Sequence, residues 1–472
     1  MNTLFVDLDG TLLLNDSVQE LFLQLLLQKP AYAFLSLWIL LIQGKTNFKS
    51  YLAKHTSIIH IKWQFNPEII LFLQKEKIRG RKIILLTASY QSVAQEIVAP
   101  LNLFDEVWGS DAQKNFKGKQ KLAWIQKHYP NESFDYMGNS TDDYILWQHA
   151  SEAWAVNPSK WVAYQAKKIK PNIHFIFYRP KFLAVLSSAL RISHYSKNFL
   201  IFLPLLLSGG FFDLGLWKKA ILNFIGFCCL TSANYLINDL LDINHDRLDS
   251  YKKLRPLAAG YLSLFFSLTL VFILFGLVIA ISLFLPAACI FIFSFYLLIA
   301  LAYSIRLKKI ALLDLFVLSS FYIIRIFSGG LAIQKAISPW LLSFGFFFFL
   351  SLAYLKRFVE INNLNEAAQI AGRFYKKSDL DFIKISGLMV GLLSPLIFSL
   401  YLNSNSVIPI YIHPAVLWLA TPILLYWINY IWFTAIQKKL KYDPLIFALT
   451  DKLSLGLGLL ILLIILYAQG LL

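Results

Sequence analysis

The sequence predicts an α/β, Rossmann-like domain followed by an all-α polytopic membrane domain of nine transmembrane helices. Three observations carry this. Of 472 residues, 57% are hydrophobic, yet residues 1–180 are ordinarily mixed, and only from Asn198 onward do long apolar runs alternate with short charged loops. A run of about 20 apolar residues crosses a hydrocarbon core about 30 Å thick. The mixed half repeats one unit, an apolar stretch that ends in a polar turn, with helical patterns between the copies; that alternation marks a parallel sheet with ligands at the carboxyl ends of its strands. Finally, basic residues follow the runs in alternation, as expected of a chain that crosses the membrane repeatedly.

The α/β half is read as residues 1–160. Its strand units are "NTLFVDLDGT" (2–11), "RKIILLTAS" (81–89), "FDYMGNSTDD" (134–143) and "AWAVNPS" (153–159). Between the first two lies "ELFLQLLLQKPAYAFLSLWILLIQGK" (20–45), whose uninterrupted apolar part, 31–42, is too short to span a bilayer. It reads as a helical cap over the strand ends or as a helix lying in the membrane interface. Residues 161–195 read as a linker and juxtamembrane segment, and residues 196–472 as the membrane domain.

In the membrane half the expected spans are 199–216, 220–237, 261–285, 287–304, 310–333, 339–355, 385–402, 413–436 and 453–472. The loops after even-numbered spans carry 17 Lys and Arg, against 3 after odd-numbered ones. By the positive-inside rule the α/β domain is cytoplasmic and the carboxyl terminus outside, in a bacterial cytoplasmic membrane. The net charge of +17 is thereby assigned to topology, not to nucleic acid. Cys228, Cys229 and Cys289 all fall in apolar spans, so neither a disulfide framework nor a cysteine zinc site is expected. Asp7 and Asp9 near the start argue against a cleavable signal peptide. Self-association is left open.

The strand-end clusters resemble the haloacid dehalogenase (HAD) phosphohydrolases. Asp7, Asp9, Gly10 and Thr11 match the family's DxDGT motif, Thr87 its second motif, Lys121 in "NFKGKQK" its lysine, and Asp143 its fourth-motif acid. The resemblance implies that Asp7 attacks phosphorus, that Asp9 is the acid/base, that Lys121 balances charge, and that Asp7, Asp9 and Asp143 hold Mg²⁺. Many members read GDSxxD where this chain has Gly138-Asn139-Ser140-Thr141-Asp142-Asp143.

A second carboxylate cluster sits at a membrane edge, in "NYLINDLLDINHDRLD" (234–249). Asn238, Asp242 and Asp246 recur every four residues and so share a helix face, where like charges repel. A divalent cation resolves that repulsion, and Mg²⁺ takes oxygen ligands shared with substrate phosphates. With Asp239, these residues resemble the first Asp-rich motif of the UbiA prenyltransferase superfamily, which implies a nine-span bundle with a cytoplasmic site. No second clustered DxxxD follows. The later loops offer basic groups instead: Arg306 and Lys308 beside Tyr303, then Lys356, Arg357, Glu360 and Arg373, with Lys197 and Arg255 as further candidates. Asp314, Asp443 and Asp451 are weaker ones. Stretches such as "YKKLRPLAAG", "FYIIRIFSGGLAI" and "AYLKRFVE" resemble the decaprenyl-phosphate phosphoribosyltransferase branch. That resemblance implies transfer of 5-phosphoribose from phosphoribosyl pyrophosphate (PRPP) to a polyprenyl phosphate, the HAD domain then removing the 5-phosphate. An aromatic prenyltransferase, or a transferase carrying an inert HAD scaffold, are the alternatives.

Overall fold

The computed structural model describes residues 1–58, 61–111, 115–130, 132–208, 210–249, 251–363, 374–403, 411–440 and 444–471. β1 (Thr3–Val6) opens the chain. Helices α1 (Ser17–Gln28), α2 (Pro30–His55) and α3 (Pro67–Ile78) separate it from β2 (Ile83–Tyr90). Then α4 (Gln91–Val98) leads to β3 (Glu106–Ser110), α5 (Gly118–His128) to β4 (Phe134–Gly138), α6 (Tyr144–His149) to β5 (Ala153–Val156), and α7 (Lys160–Ile169) to β6 (His174–Ile176). All six strands run parallel, in the order β3-β2-β1-β4-β5-β6.

Strand alternation builds the layers. Leu4, Val6, Ile83, Leu85 and Met137 point to one face, where they pack with residues of α1 to α4. Phe5, Ile84, Leu86, Phe134 and Tyr136 point to the other, towards α5, α6 and α7. A strand buried on both faces has no polar side, so its sequence reads as continuously apolar. The helices begin where local chemistry dictates. Asp16 caps α1 by accepting from the backbone N–H groups of Val18 and Gln19, Asn66 caps α3 with Pro67 behind it, and Ser159 caps α7. α2 is two arms, broken at Gly44, whose φ of 81° lies in the left-handed region. β1 neighbours both β2 and β4, so the sheet reverses its winding there, and the carboxyl end of β1 is its ligand crevice.

The rest is helical: α8 (Phe182–Ala189), α9 (Leu203–Leu207), α10 (Leu214–Leu241), α11 (Ile243–Leu248), α12 (Leu264–Ser282), α13 (Ala287–Ile305), α14 (Leu313–Ile333), α15 (Pro339–Asn362), α16 (Leu380–Leu402), α17 (Ala420–Ile436), α18 (Pro444–Thr450) and α19 (Lys452–Ala468). Among the described residues, seven helical segments are long and apolar enough to cross a membrane, from α10 and α12–α17. Two expected spans look different. The stretch 199–216 is the end of a 3₁₀ segment, Ile192–Phe202, followed by the five-residue α9 with Pro204 in its first turn; α19 has 17 residues. Pro204 has no N–H to donate back to the 3₁₀ segment, so the two pieces do not merge into one long helix.

The chain divides into two compact units: Met1–Leu190 with Tyr235–Leu270, and Arg191–Asn234 with Val271–Leu472. In the second, α14, α15, α16 and α17 share a core centred on Phe349, Tyr354, Ile383, Ile431 and Trp432. Small residues let these helices close up: Ser351 Oγ donates to the Gly387 carbonyl at 2.8 Å and accepts from Trp432 Nε1 at 3.0 Å.

Candidate functional site

In the first unit the sequence-predicted residues Asp7, Lys121 and Asp143 meet at the carboxyl ends of β1 and β4. Lys121 Nζ, on α5, donates to Asp7 Oδ1 at 2.8 Å and to the Tyr136 hydroxyl at 2.9 Å, and lies 3.9 Å from Asp143 Oδ1. Tyr136 donates in turn to Asp143 Oδ1 at 2.7 Å. Asp143 Oδ2 accepts from the backbone N–H groups of Asn139 and Ser140 at 2.9 and 3.0 Å. Two glycines allow this crowding. A side chain at Gly138 would stand 2.6 Å from the Asp143 carboxyl carbon, and one at Gly10, where φ is +73°, would overlap the Asn139 amide. Asn139, the departure from the HAD pattern, therefore lies against the DxDGT turn.

Asp9 is held differently from Asp7. Its carboxylate accepts from the backbone N–H of Ser17 at 2.7 Å, from Ser17 Oγ at 3.1 Å and from Ser89 Oγ. Thr87 is fully buried and its hydroxyl accepts from the Ser89 N–H at 3.1 Å, which shapes the turn presenting Ser89. Burial pushes Asp7 up to about 6; Lys121 opposes that rise and Asp143 adds to it. Burial, followed by the nearby Asp16, likewise raises Asp9 to about 6, against the hydrogen bonds from Ser89 and Ser17. Asp7 Oδ2 takes no hydrogen bond among the described residues, which leaves it available to a substrate.

The Asp-rich segment also belongs to the first unit. Asp239 and Asp246 are buried and converge on one cation: Arg255 Nη1 donates to Asp239 Oδ1 at 3.1 Å and to Asp246 Oδ2 at 2.6 Å. Asn238 and Asp242 are half-buried, and the chain leaves helical dihedrals at Asp242, between α10 and α11. The Asn238, Asp242 and Asp246 spacing keeps its helical backbone bonds, from the Asp242 N–H to the Asn238 carbonyl and from the Asp246 N–H to the Asp242 carbonyl, both at 2.9 Å, while a guanidinium grips Asp246 together with Asp239. Next to it, Arg247 forms a two-pronged pair with Glu20 of α1, at 3.1 and 2.5 Å, both side chains 1% exposed.

Among the described residues no three His, Cys, Asp or Glu side chains gather closely enough to hold a metal ion by themselves. Each cluster supplies two convergent carboxylates, Asp7 with Asp143 and Asp239 with Asp246. Mg²⁺ is commonly bound by one or two carboxylates plus substrate phosphates, so the donor chemistry fits it in both places.

Within the second unit, Lys197 and Lys356 line one pocket with Leu318, Tyr322 and Leu352. Arg306 is exposed at the end of α13, Lys308 is half-buried after it, and the Tyr303 ring meets Phe321 edge-on. Arg357, expected to bind substrate, is fully buried: it donates to Asp314 Oδ2 at 2.7 Å and to Glu360, and lies over the Tyr375 ring, whose hydroxyl also donates to Asp314. Its charge is neutralised inside the bundle. Arg373 and Asp443 lie outside the described residues.

Several residues escaped sequence reasoning. Ser17, Ser89 and Tyr136 complete the strand-end site, and their only sequence signals are proximity to a helix cap or to a motif. Lys49 of α2 reaches the Ala88 carbonyl at 2.7 Å from a cap helix, with no sequence signal at all. Arg325, in α14, is buried with its donors on Asn198, Tyr296 and the Phe321 carbonyl, and lies over the Phe227 and Tyr296 rings.

Comparison with known proteins gives these arrangements a family. Residues 4–145 match haloacid dehalogenase-like hydrolase and residues 199–430 match the UbiA prenyltransferase family. The protein y4nM of Sinorhizobium fredii is 34% identical over 466 residues, covering 97% of this chain and 89% of that protein. Nodulation protein NoeC of Azorhizobium caulinodans is 32% identical over 278 residues, 57% of this chain and 87% of that one. Decaprenyl-phosphate phosphoribosyltransferase of Mycolicibacterium smegmatis is 34% identical over 160 residues, 34% of this chain and 49% of that protein. The chain therefore belongs to the UbiA prenyltransferase family and carries a haloacid dehalogenase-like hydrolase domain ahead of its membrane helices.

Proposed function

We propose that the protein is a bifunctional membrane enzyme of the bacterial cytoplasmic membrane, with both sites cytoplasmic. Its membrane domain, residues 196–472, transfers 5-phosphoribose from PRPP to a polyprenyl phosphate, and its α/β domain, which runs past the expected boundary at residue 160 because α7 and β6 (His174–Ile176) complete its sheet, removes the 5-phosphate. The first step is supported by similarity to decaprenyl-phosphate phosphoribosyltransferase and by the buried acidic pair Asp239 and Asp246. An oxygen of the lipid phosphate bonds to C1 of the ribose as the C1–O bond to pyrophosphate breaks. That oxygen is already ionised, so no general base is required. Lys197 and Lys356, in one pocket, suit a phosphate, and Arg255, which bridges Asp239 and Asp246, would be a candidate for an anion if Mg²⁺ took over those carboxylates. Arg306 and Lys308, after α13, and Arg373, in the loop after span 6, supply further positive charge.

The observation that carries the second step is the Asp7–Lys121–Asp143 cluster with Asp9 beside it. Asp7 Oδ2 attacks phosphorus, the bond to the ribose oxygen breaks, and Asp9 gives its proton to that oxygen. Water then attacks the aspartyl phosphate, Asp9 takes the proton, and inorganic phosphate leaves. A carboxyl near 6 suits an acid/base that must act in both directions near neutrality. Lys121 offsets the negative charge on Asp7 and the phosphoryl oxygens. Asp7 and Asp143, and in the membrane domain Asp239 and Asp246 with Asn238 and Asp242 nearby, would hold Mg²⁺, which when bound acts as a Lewis acid towards phosphate oxygens.

The test is a product analysis of the full chain in proteoliposomes, supplied with labelled PRPP, polyprenyl phosphate and Mg²⁺. Wild type should release both pyrophosphate and inorganic phosphate and form polyprenyl phosphoribose. Asp7→Asn should consume PRPP equally and accumulate the 5-phosphorylated lipid. Identical lipids from the two proteins, without phosphate release, would overturn the second step; absence of PRPP consumption would overturn the first.

A further inference from the structure

The first arm of α2 is unlike any other helix face in the α/β domain. Ala33 and Ser36 are buried and Leu40 packs against the domain core, which fixes the inner side. On the outer side Phe34, Leu35, Trp38, Leu41 and Ile42 are 67, 48, 61, 80 and 63% exposed. At 100° per residue these five fall within about a third of the helix circumference, a continuous apolar stripe. No charge interrupts residues 30–44; Lys29 and Lys45 flank them. Large solvent-facing apolar stripes on water-soluble domains mark contact surfaces.

Two further observations say what covers this one. Residues 21–67 contain five lysines and no carboxylate, and four of the lysines, Lys29, Lys45, Lys54 and Lys62, are exposed, while Lys49 turns inward to the Ala88 carbonyl. Such a segment is attracted to an anionic surface by about 1 kcal/mol per basic residue near it. The neighbouring α1 is also fastened to the first turn of a membrane-crossing helix. Gln19 Oε1 accepts from Ser263 Oγ at 2.8 Å and from the Phe265 N–H at 3.3 Å, and Phe22 stacks edge-on with Phe265 at 5.8 Å while touching Phe48 of the second α2 arm at 6.3 Å. Phe265 opens α12, a helix long and apolar enough to cross the bilayer. The α1–α2 hairpin is thus held at the level where a membrane helix begins.

We propose that residues 30–43 lie in the interface of an anionic bilayer, with the Phe34–Trp38–Leu41 stripe immersed among the acyl chains. The α/β site then opens on a membrane-bound cap, which presents a phosphomonoester carried on a lipid. That consequence rests on the bifunctional reading above; the immersion itself does not.

The experiment uses the full chain in phosphatidylglycerol-containing vesicles, with Cys228, Cys229 and Cys289 replaced by alanine. A nitroxide is attached at Leu41→Cys, or at Ile78→Cys, a site 87% exposed at the end of α3. At position 41 the label should collide with dissolved oxygen and lipid-borne quenchers and be shielded from an aqueous nickel chelate, whereas position 78 should show the reverse. Nickel accessibility at 41 equal to that at 78 overturns the proposal. Shielding from both quenchers would assign the stripe to a protein partner and overturn it equally. In a second arm, Trp38→Glu/Leu41→Glu should hydrolyse soluble p-nitrophenyl phosphate as wild type does, yet hydrolyse the 5-phosphorylated lipid ~10-fold or more slowly, since the cap no longer positions it. Loss of both hydrolyses would mark damage to the domain and remove the presenting role. If label 41 is immersed but neither protein hydrolyses the lipid, the bilayer contact stands and the phosphatase reading fails.

Discussion

Lys121 is 3% exposed, and its ammonium is wedged between two carboxylates and a phenol. Asp7 sits near 6 because burial disfavours its charge more than Lys121 favours it. On p-nitrophenyl phosphate, whose leaving group needs no proton from Asp9, phosphate release should therefore rise with pH through an apparent value near 6, whereas on the ribose ester the need for protonated Asp9 should make the profile bell-shaped. Saturating Mg²⁺ should move that limb to lower pH, since a bound cation favours the ionised form. Lys121→Met removes a lowering influence, so its limb should move to higher pH and its plateau should fall. A pH–rate profile on p-nitrophenyl phosphate checks both shifts, and an unmoved limb would show that Asp7 is not the titrating group. Asp9 follows another logic. The Ser17 N–H and the hydroxyls of Ser17 and Ser89 bind its carboxylate, so two aspartates two residues apart acquire separate partners and separate roles.

At the scale of elements, α1 and α11 are joined by Glu20 and Arg247, 227 residues apart in sequence. A buried fork of this kind gains from its own geometry little beyond the desolvation of both charges, but breaking one side leaves a buried charge without a partner. Glu20→Gln should therefore destabilise the protein by ~3–5 kcal/mol, whereas Glu20→Leu/Arg247→Met should recover most of that loss. Thermal unfolding in detergent reads the difference. If the double variant melts as low as the single one, the pair is fixing conformation and not merely neutralising charge. The same physics explains Arg357: with Asp314 buried beside it, this arginine ties α14 to α15 and is unavailable to a remote phosphate.

For the whole molecule, the α/β domain and Tyr235–Leu270 form one compact unit, so the Asp-rich segment packs with the α/β domain. A chain lacking residues 1–160 would expose Arg247 and the first turn of α12. It should lose transferase activity as well as phosphatase activity, while Asp7→Asn loses only the latter; PRPP consumption by the two proteins decides this. The sequence by itself located four of the six strands, because strands buried on both faces must be continuously apolar and end in polar turns, as residues 2–11, 81–89, 134–143 and 153–159 do; β3 and β6, short strands at the sheet's two edges, escaped it. Of the nine membrane helices it led one to expect, seven are long and apolar enough to cross a bilayer among the described residues, since apolar length is a local property. It located Asp7, Lys121 and Asp143 through motif spacing. Only the tertiary structure decided that Asp9 answers to Ser17 and Ser89, that Arg255 bridges Asp239 and Asp246, that Arg357 is neutralised by Asp314, and that 199–216 begins as a 3₁₀ segment with a broken helix behind it. Hydrophobic periodicity records which face a residue turns inward; it carries no information about which distant charge or hydroxyl will be waiting there, and the balance between desolvation and pairing is settled only when the chain closes.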